Sequence, residues 1–346
     1  NTLTLSPLTP PEISQLVADT LQHSVERVQS LSEFIIHKTK GNPFFTTQLL
    51  KTLYESDGIR FCAEEGEWNY DLDQIRALSL SEDVVDFVAK QLQKLPQPAQ
   101  QMLQLAACVG NRFDIATLAI ASDQSEEQAN SALRAALEDG LIVSDIKTDC
   151  LAYRFFHDRI QQAAYSLIAD EDKQANHYSI GQLWLDELSP SAREERIFEL
   201  TSQLNRGRSL IVEQQERDDL AQLNLIACKK ARAAIAYPTG LMHAQVGLSL
   251  LGEAAWQRQY DMAFALHTLA TELAWFCGEF EHMEQSFQAV VDHAHNPHEQ
   301  IAVYRIKTRS KTAQNEPAAA IAVGQEILEK LGITFPQEPQ PEDIQQ

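Results

Sequence analysis

From about residue 170 onward the chain reads as almost continuous helix, and it repeats itself. Leu223, Ala227, Ala231 and Tyr237 return 43 residues later as Leu266, Ala270, Ala274 and Phe280, and residues 318–331 read as the second helix of a further unit at a spacing of about 37. Small residues at helical spacing let two helices cross closely, and an aromatic residue at the following turn packs between successive pairs. Stacked helix pairs have these requirements. The second half is therefore expected to be an α-superhelix, and the whole chain mainly α with small β-hairpins.

The first half is punctuated differently. Thr9-Pro10-Pro11-Glu12 is a helix start, with Thr9 as N-cap, proline at the first helical position and Glu12 at the third. Ile13, Leu16, Val17 and Leu21 then mark one apolar face. A second helix is predicted from about Ser30, closing at His37, Lys38 and Lys40, cations that suit the negative end of its dipole. Gly41 follows as a residue that tolerates positive φ, and Asn42-Pro43 restarts a helix as N-cap and first turn. Ile59-Arg60-Phe61 and Trp68-Asn69-Tyr70 flank Glu64-Glu65-Gly66-Glu67 as a hairpin.

Helices are predicted over 82–95, 98–109 and 125–139, with a short one near 114–121. Ser125-x-x-Gln128 is a capping box, and Gly140 closes the helix that it starts. Strands at 141–143 and 151–155 enclose the turn Ile146-Lys147-Thr148-Asp149. Three helices followed by a hairpin is the order of a winged-helix domain. The expected division is 1–80 for the end of one domain and a helical cap, 81–168 for the winged helix, 169–336 for the repeats and 337–346 for a linker.

Composition narrows the function. Forty-nine Asp and Glu stand against 28 Lys and Arg, a net charge of −21 that repels nucleic-acid backbones and anionic membranes. The expected recognition helix, 125–139, carries Glu126, Glu127, Glu138 and Asp139 against Arg134 alone, which argues against entry into a DNA groove. No apolar run approaches the ~18–20 residues that span a bilayer. Five widely spaced cysteines without a C-x-x-C pair fit reduced thiols and a cytoplasmic location. The chain opens on Asn1, and Leu3-Thr4-Leu5 reads like a strand taken from a larger sheet, so it is expected to be a piece of a longer protein.

No G-x-x-x-x-G-K-[ST] occurs, and no Gly-Lys dipeptide at all. Without that loop no nest of amides cradles phosphates, so this chain by itself is expected to bind nucleotide weakly and not to hydrolyse it. G-x-S-x-G, H-E-x-x-H and kinase catalytic-loop motifs are absent too. Two short stretches carry possible chemistry. Gly41-Asn42-Pro43 is a glycine stop and a proline start, explained by capping alone, but such a turn can also press a flat ring against a base. His157-Asp158 follows the last strand; Asp158 can start the next helix, 159–168, while an imidazole there can donate a hydrogen bond to a phosphate oxygen. His293-x-His295-x-x-His298, beside Asp292 and Glu299, has imidazoles at a proline-containing turn without the fixed geometry of a metal site, and none is assigned. Trp184, Trp256 and Trp275 fall on helix faces as packing residues.

Taken in order, the glycine-x-proline of a helical lid, the winged helix, the His-Asp after its wing and the helical repeats resemble the STAND class of AAA-related signalling ATPases. The resemblance implies that Pro43 touches the adenine, that His157 reaches the β-phosphate of ADP, and that the repeats are TPR-like. Phe156 stands where many relatives have methionine. The segments GNPFF (41–45), WNYDLDQI (68–75), LAACVGNRFD (105–114), FHDRIQQAAYSLI (156–168) and LNLIACKKARAAIAY (223–237) resemble more closely the large cyanobacterial-type multi-sensor kinases. There a serine/threonine kinase domain precedes the ATPase module, and GAF sensors and often a histidine kinase of two-component type follow.

Gly41, Asn42, Pro43, His157 and Asp158 are then the expected nucleotide-binding positions, with no catalytic residue in this stretch. ATP or ADP with Mg is expected in the intact parent. The expected partners are an upstream P-loop domain of the same chain and a protein, or attached kinase domains, at the repeats. Oligomers of the parent are compatible with this; nucleic acid and membrane are not expected. Two rivals share the architecture: an ATP-dependent transcription activator, and a passive repeat scaffold.

Overall fold

A computed structural model describes residues 6–77, 84–145 and 151–334. The segment Leu3-Thr4-Leu5, the expected domain boundary near 80, the turn 146–149 and the linker 337–346 lie outside the described residues. The chain divides into two units, Asn1–Ala169 and Asp170–Gln346.

The first unit opens with α1 (Pro10–Leu21), α2 (Val25–Thr39) and α3 (Pro43–Glu55). Glu12 reaches back to accept hydrogen bonds from the Thr9 amide at 2.7 Å and the Thr9 hydroxyl at 2.8 Å, which anchors the start of α1. Helix α2 begins earlier than its expected start near Ser30, at the Ser24 N-cap. Val28 continues the buried face of Leu31 and Ile35 by one turn, and that burial extends the helix backwards. At its end both Lys40 (φ 52°) and Gly41 (φ 81°) are left-handed.

The hairpin of β1 (Ile59–Cys62) and β2 (Glu67–Tyr70) pairs Phe61 with Trp68 around the acidic turn. A short α4 (Leu72–Ala77), which the apolar pattern does not signal, is nucleated by Asp71, whose carboxylate accepts from the amides of Asp73 and Gln74 at 3.0 Å each. Then come α5 (Val84–Leu92), α6 (Gln97–Val109), β3 (Arg112–Asp114), α7 (Ile115–Ala121), α8 (Glu126–Glu138), β4 (Ile142–Ser144), β5 (Ala152–Phe155) and α9 (Asp158–Ser166). The sheet has order β3-β5-β4 and is antiparallel throughout, with Arg112 opposite Arg154 and Ile142 opposite Phe155. Strand β3 is an addition to the expected hairpin. It has one inward residue, Phe113, and exists because the central β5 offers it a free edge and the Phe155 ring at 5.3 Å.

The second unit is a run of helices: α10 (Asp170–Glu187), α11 (Pro190–Glu195), α12 (Ile197–Arg206), α13 (Gln214–Ala233), α14 (Tyr237–Leu251), α15 (Ala255–Arg258), α16 (Tyr260–Cys277), α17 (Phe280–His293), α18 (Pro297–Ala313) and α19 (Pro317–Lys330). Three antiparallel, TPR-like pairs (α13/α14, α16/α17 and α18/α19) stack as the repeat implies. Ala227, Ala231, Ala270 and Ala274, the small residues of the repeat, are buried at 2% exposure or less. Close approach needs glycine as well. A Cβ on Gly240 would sit 3.0 Å from Leu273, and one on Gly247 3.0 Å from Leu266, so α14 lies on two leucines of α16 through bare backbone. The last pair closes on Phe287, Val290, Val303, Tyr304 and Ile327. Among the described residues no helix is long and apolar enough to cross a membrane.

Candidate functional site

The first half of the candidate site is the start of α3. Asn42 turns its carboxamide oxygen onto the amides of Phe44 (3.0 Å) and Phe45 (3.2 Å), so the helix begins cleanly at Pro43, whose ring is exposed. Gly41 is held against the entering chain: its carbonyl accepts from the Leu8 amide at 2.8 Å, and a Cβ there would lie 2.4 Å from the Leu8 carbonyl oxygen. The glycine is required twice, by its positive φ and by this approach.

The second half is the start of α9. Phe155 is fully buried and anchors β5, and the Phe156 amide donates to the Leu141 carbonyl at 3.0 Å, so the chain leaves the sheet in a fixed direction. His157, expected to precede an Asp158 cap, is itself the N-cap: its Nδ1 accepts from the Arg159 amide at 3.1 Å, and the helix starts one residue earlier, at Asp158. A backbone N–H can only donate, so Nδ1 carries no proton and the ring hydrogen sits on Nε2. Asp158 is exposed in the first turn, where its charge favours the helix dipole.

The structure brings the two halves together. Phe44 and Phe156 lie 4.9 Å apart by ring centroid, and Phe45 meets the His157 ring edge-on at 5.1 Å. One turn further along α3, Gln48 donates to the Asp139 carbonyl at 3.2 Å, and Lys51 pairs with the Asp139 carboxylate at 2.7 Å. That hydrogen bond raises the Lys51 pKa above its ordinary value, with burial opposing. One face of α3 is thus registered against the C-terminal end of α8 and the start of α9. Two helix N-termini, an exposed proline ring, a 45% exposed Phe156 and an imidazole with its proton on Nε2 share one neighbourhood. Flat apolar surfaces beside a hydrogen-bond donor and positive dipole ends suit a planar ring joined to an anionic group.

In the sequence Phe44 and Phe45 stand only inside a longer segment, and nothing there marks Phe45 as the contact to His157. Lys51 and Asp139 carry no signal beyond opposite charge. Two imidazoles of the His293-x-His295-x-x-His298 stretch serve packing in the second unit. His293 stacks on Trp256 at 4.6 Å, His295 on Tyr260 at 3.9 Å, and no metal-binding group occurs among the described residues. Trp184 is buried beneath Arg196, whose guanidinium lies 4.5 Å from its ring, and Trp275 stacks on Phe276 at 4.6 Å. Cys62, Cys228 and Cys277 are free thiols, Cys108 is buried in α6, and Cys150 lies outside the described residues.

No protein-family model matches the chain. It is 27% identical over 380 residues to the hybrid signal transduction histidine kinase G of Dictyostelium discoideum, which covers 93% of this chain and 11% of that protein. The peroxide stress-activated histidine kinase mak3 of Schizosaccharomyces pombe is 26% identical over 178 residues, 50% of this chain and 8% of that protein. The chain spans about a tenth of the length of these relatives. Among solved structures, a STAND protein with a tetratricopeptide repeat sensor from Pyrococcus horikoshii is similar at TM-score 0.41 and 14% identity, over 96% of this chain and 48% of that one.

Proposed function

We propose that the chain is the nucleotide-sensing and regulatory part of a STAND-type ATPase within a large signal-transduction kinase. It would act with a P-loop domain encoded upstream in the same chain and pass the nucleotide state to the output through the repeats. The observation that supports this reading is the pairing of Phe44 with Phe156 and of Phe45 with His157, which brings the segments carrying Pro43 and His157 together. Both named relatives are histidine kinases, which supports a place in signalling. In this reading Pro43 covers the adenine, His157 donates from Nε2 to the β-phosphate of ADP, and Asp158 steadies the helix start that aims the ring. Mg belongs to the phosphates and the upstream domain. ADP would hold the module closed, and exchange for ATP would release it. The transcription-activator reading gains nothing from α8, whose first turn and C-terminal end are acidic.

The His157 cap supplies a clean test. His157→Asn keeps a good N-cap oxygen but removes the Nε2 donor, whereas His157→Ala removes both. A charge-assisted hydrogen bond contributes roughly 1.5–3 kcal/mol, so in the full-length protein His157→Asn should weaken ADP binding about ten- to a hundred-fold. ATP binding and melting temperature should change little, and basal signalling should rise. His157→Ala should lose the same ADP affinity and in addition about 1 kcal/mol of stability. Calorimetry with both nucleotides on each variant decides it: a His157→Asn protein with undiminished ADP affinity refutes the assignment.

A further inference from the structure

The second unit contains a feature that the nucleotide reading does not use. An open groove of about 800 Å³ runs between α10, α12 and α14. In a chain with 49 acidic residues, no aspartate or glutamate occurs among the described residues that line it, while two arginines, Arg206 and Arg208, do. Its apolar wall is Phe198 and Met242, 36% and 44% exposed, with Val246 behind them.

The floor is built and not incidental. Asn205 and Asn224, both buried, exchange a reciprocal pair of amide hydrogen bonds at 2.9 Å each. The spare hydrogen on the Asn224 amide goes to the Leu220 carbonyl at 2.9 Å. His243, 3% exposed, holds the Asn224 oxygen through Nδ1 at 2.8 Å. An amide oxygen only accepts, so Nδ1 carries the hydrogen and Nε2 remains an acceptor on a ring that lines the groove. Burial lowers the His243 pKa and keeps that acceptor unprotonated at neutral pH. A polar ladder through three successive helices fixes their spacing at the groove.

We propose that this groove is a docking site for an extended acidic segment of a partner protein. A carboxylate of the segment meets Arg208, whose Nη1 also donates to the Asn205 carbonyl at 3.1 Å, an apolar side chain lies on Phe198 and Met242, and a backbone N–H donates to Nε2 of His243. Charge complementarity selects this occupant. The protein as a whole, at −21, repels an acidic peptide, so only a local site can capture one. The proposal rests on the repeats being the part of the regulatory module that meets protein partners, and names what they meet.

The test is fluorescence anisotropy on this 346-residue chain with two labelled peptide pools at physiological salt. One pool alternates aspartate with valine, leucine or phenylalanine; the other replaces aspartate by lysine. The acidic pool should bind at least tenfold more tightly, against the bulk charge. Met242→Asp places a carboxylate in the groove at an exposed position; it should weaken that binding tenfold or more with an unchanged melting temperature. Arg208→Glu should do likewise, and Ile321→Asp, on the exposed face of α19, should have no effect. Equal or tighter binding of the basic pool, no saturable binding of the acidic pool, or full affinity in Met242→Asp overturns the proposal. So does displacement by free succinate at the concentration of the peptide, which would make the groove a small-anion site. His157 takes no part in this measurement. Peptide binding that survives in His157→Asn upholds the groove even where the nucleotide assignment fails.

Discussion

The turns inside the three helix pairs share one backbone geometry but not one residue. Ile235, Gly278 and Asn315 each follow the first helix of a pair with φ of 61°, 76° and 60°. In each turn the next amide reaches back five residues: Ala236 to the Ala231 carbonyl (2.9 Å), Glu279 to Ala274 (2.8 Å) and Glu316 to Lys311 (3.0 Å). That helix ending demands a left-handed residue, and glycine and asparagine suit it. A β-branched isoleucine does not, at a cost of roughly 1–2 kcal/mol. Ile235 is 70% exposed, so removing its side chain gives up only about a third of its burial, roughly 0.5–1 kcal/mol. Ile235→Asn and Ile235→Gly should therefore stabilise the second unit by about 0.5–1 kcal/mol. For a unit of this size the melting temperature should rise by roughly 1–4 °C. The reciprocal change, Gly278→Ile, should lose about 1–2 kcal/mol. Urea and thermal unfolding of the three variants provide the measurement. If both Ile235 variants melt below the parent, or if Gly278→Ile is neutral, the strain argument fails.

Three further outcomes follow from the same structure. Gly41→Ala should lose more than about 1 kcal/mol in urea unfolding, since positive φ and the nearby Leu8 carbonyl both oppose a Cβ. His267 stacks on Trp256 at 5.2 Å with its Nδ1 unpartnered, and burial, then the neighbouring His293, lowers its pKa to about 4. A histidine depressed in this way supports the fold above the unfolded value near 6.5, and the support is lost as pH falls towards 4; His267→Phe should remove up to about 3 kcal/mol of that acid sensitivity, read from denaturation at pH 7 and pH 4.5. The chain should give no salt-sensitive mobility shift with random duplex DNA at low micromolar protein, because Glu126, Glu127, Glu138 and Asp139 outnumber Arg134 on that helix; such a shift would contradict the charge argument.

The features legible in the amino-acid sequence are local ones. Capping chemistry marks the starts at Thr9, Asn42 and Ser125, and alanines in register mark the helix pairs, because these features are decided within a few residues or repeated across units. The departures share a cause. Strand β3 has a single inward side chain and forms on an edge supplied by β5, some 40 residues later, which no local pattern reports. Helix α2 starts well before Ser30 because Val28 is buried by other elements, not because its turn is strongly helical.

The candidate site divides along the same line. Gly41, Asn42 and Pro43 stand out as punctuation, yet what they position, Phe44 and Phe45 against Phe156 and His157, lies more than 100 residues apart in sequence. The His157 cap replaces the expected Asp158 cap because β5 directs the imidazole back onto the Arg159 amide, and the preference of aspartate for that position is overridden. The groove floor leaves one trace in the sequence. Asn224 sits on the apolar face of α13 between Leu220, Ala221 and Cys228, where an amide is unfavourable unless other buried polar groups meet it. Asn205 and His243, each 19 residues away, are those groups. A lone polar residue inside an otherwise apolar helix face implies partners on the neighbouring helices. Here those partners outline a groove-lining surface in the repeats that carries arginines without carboxylates among the described residues.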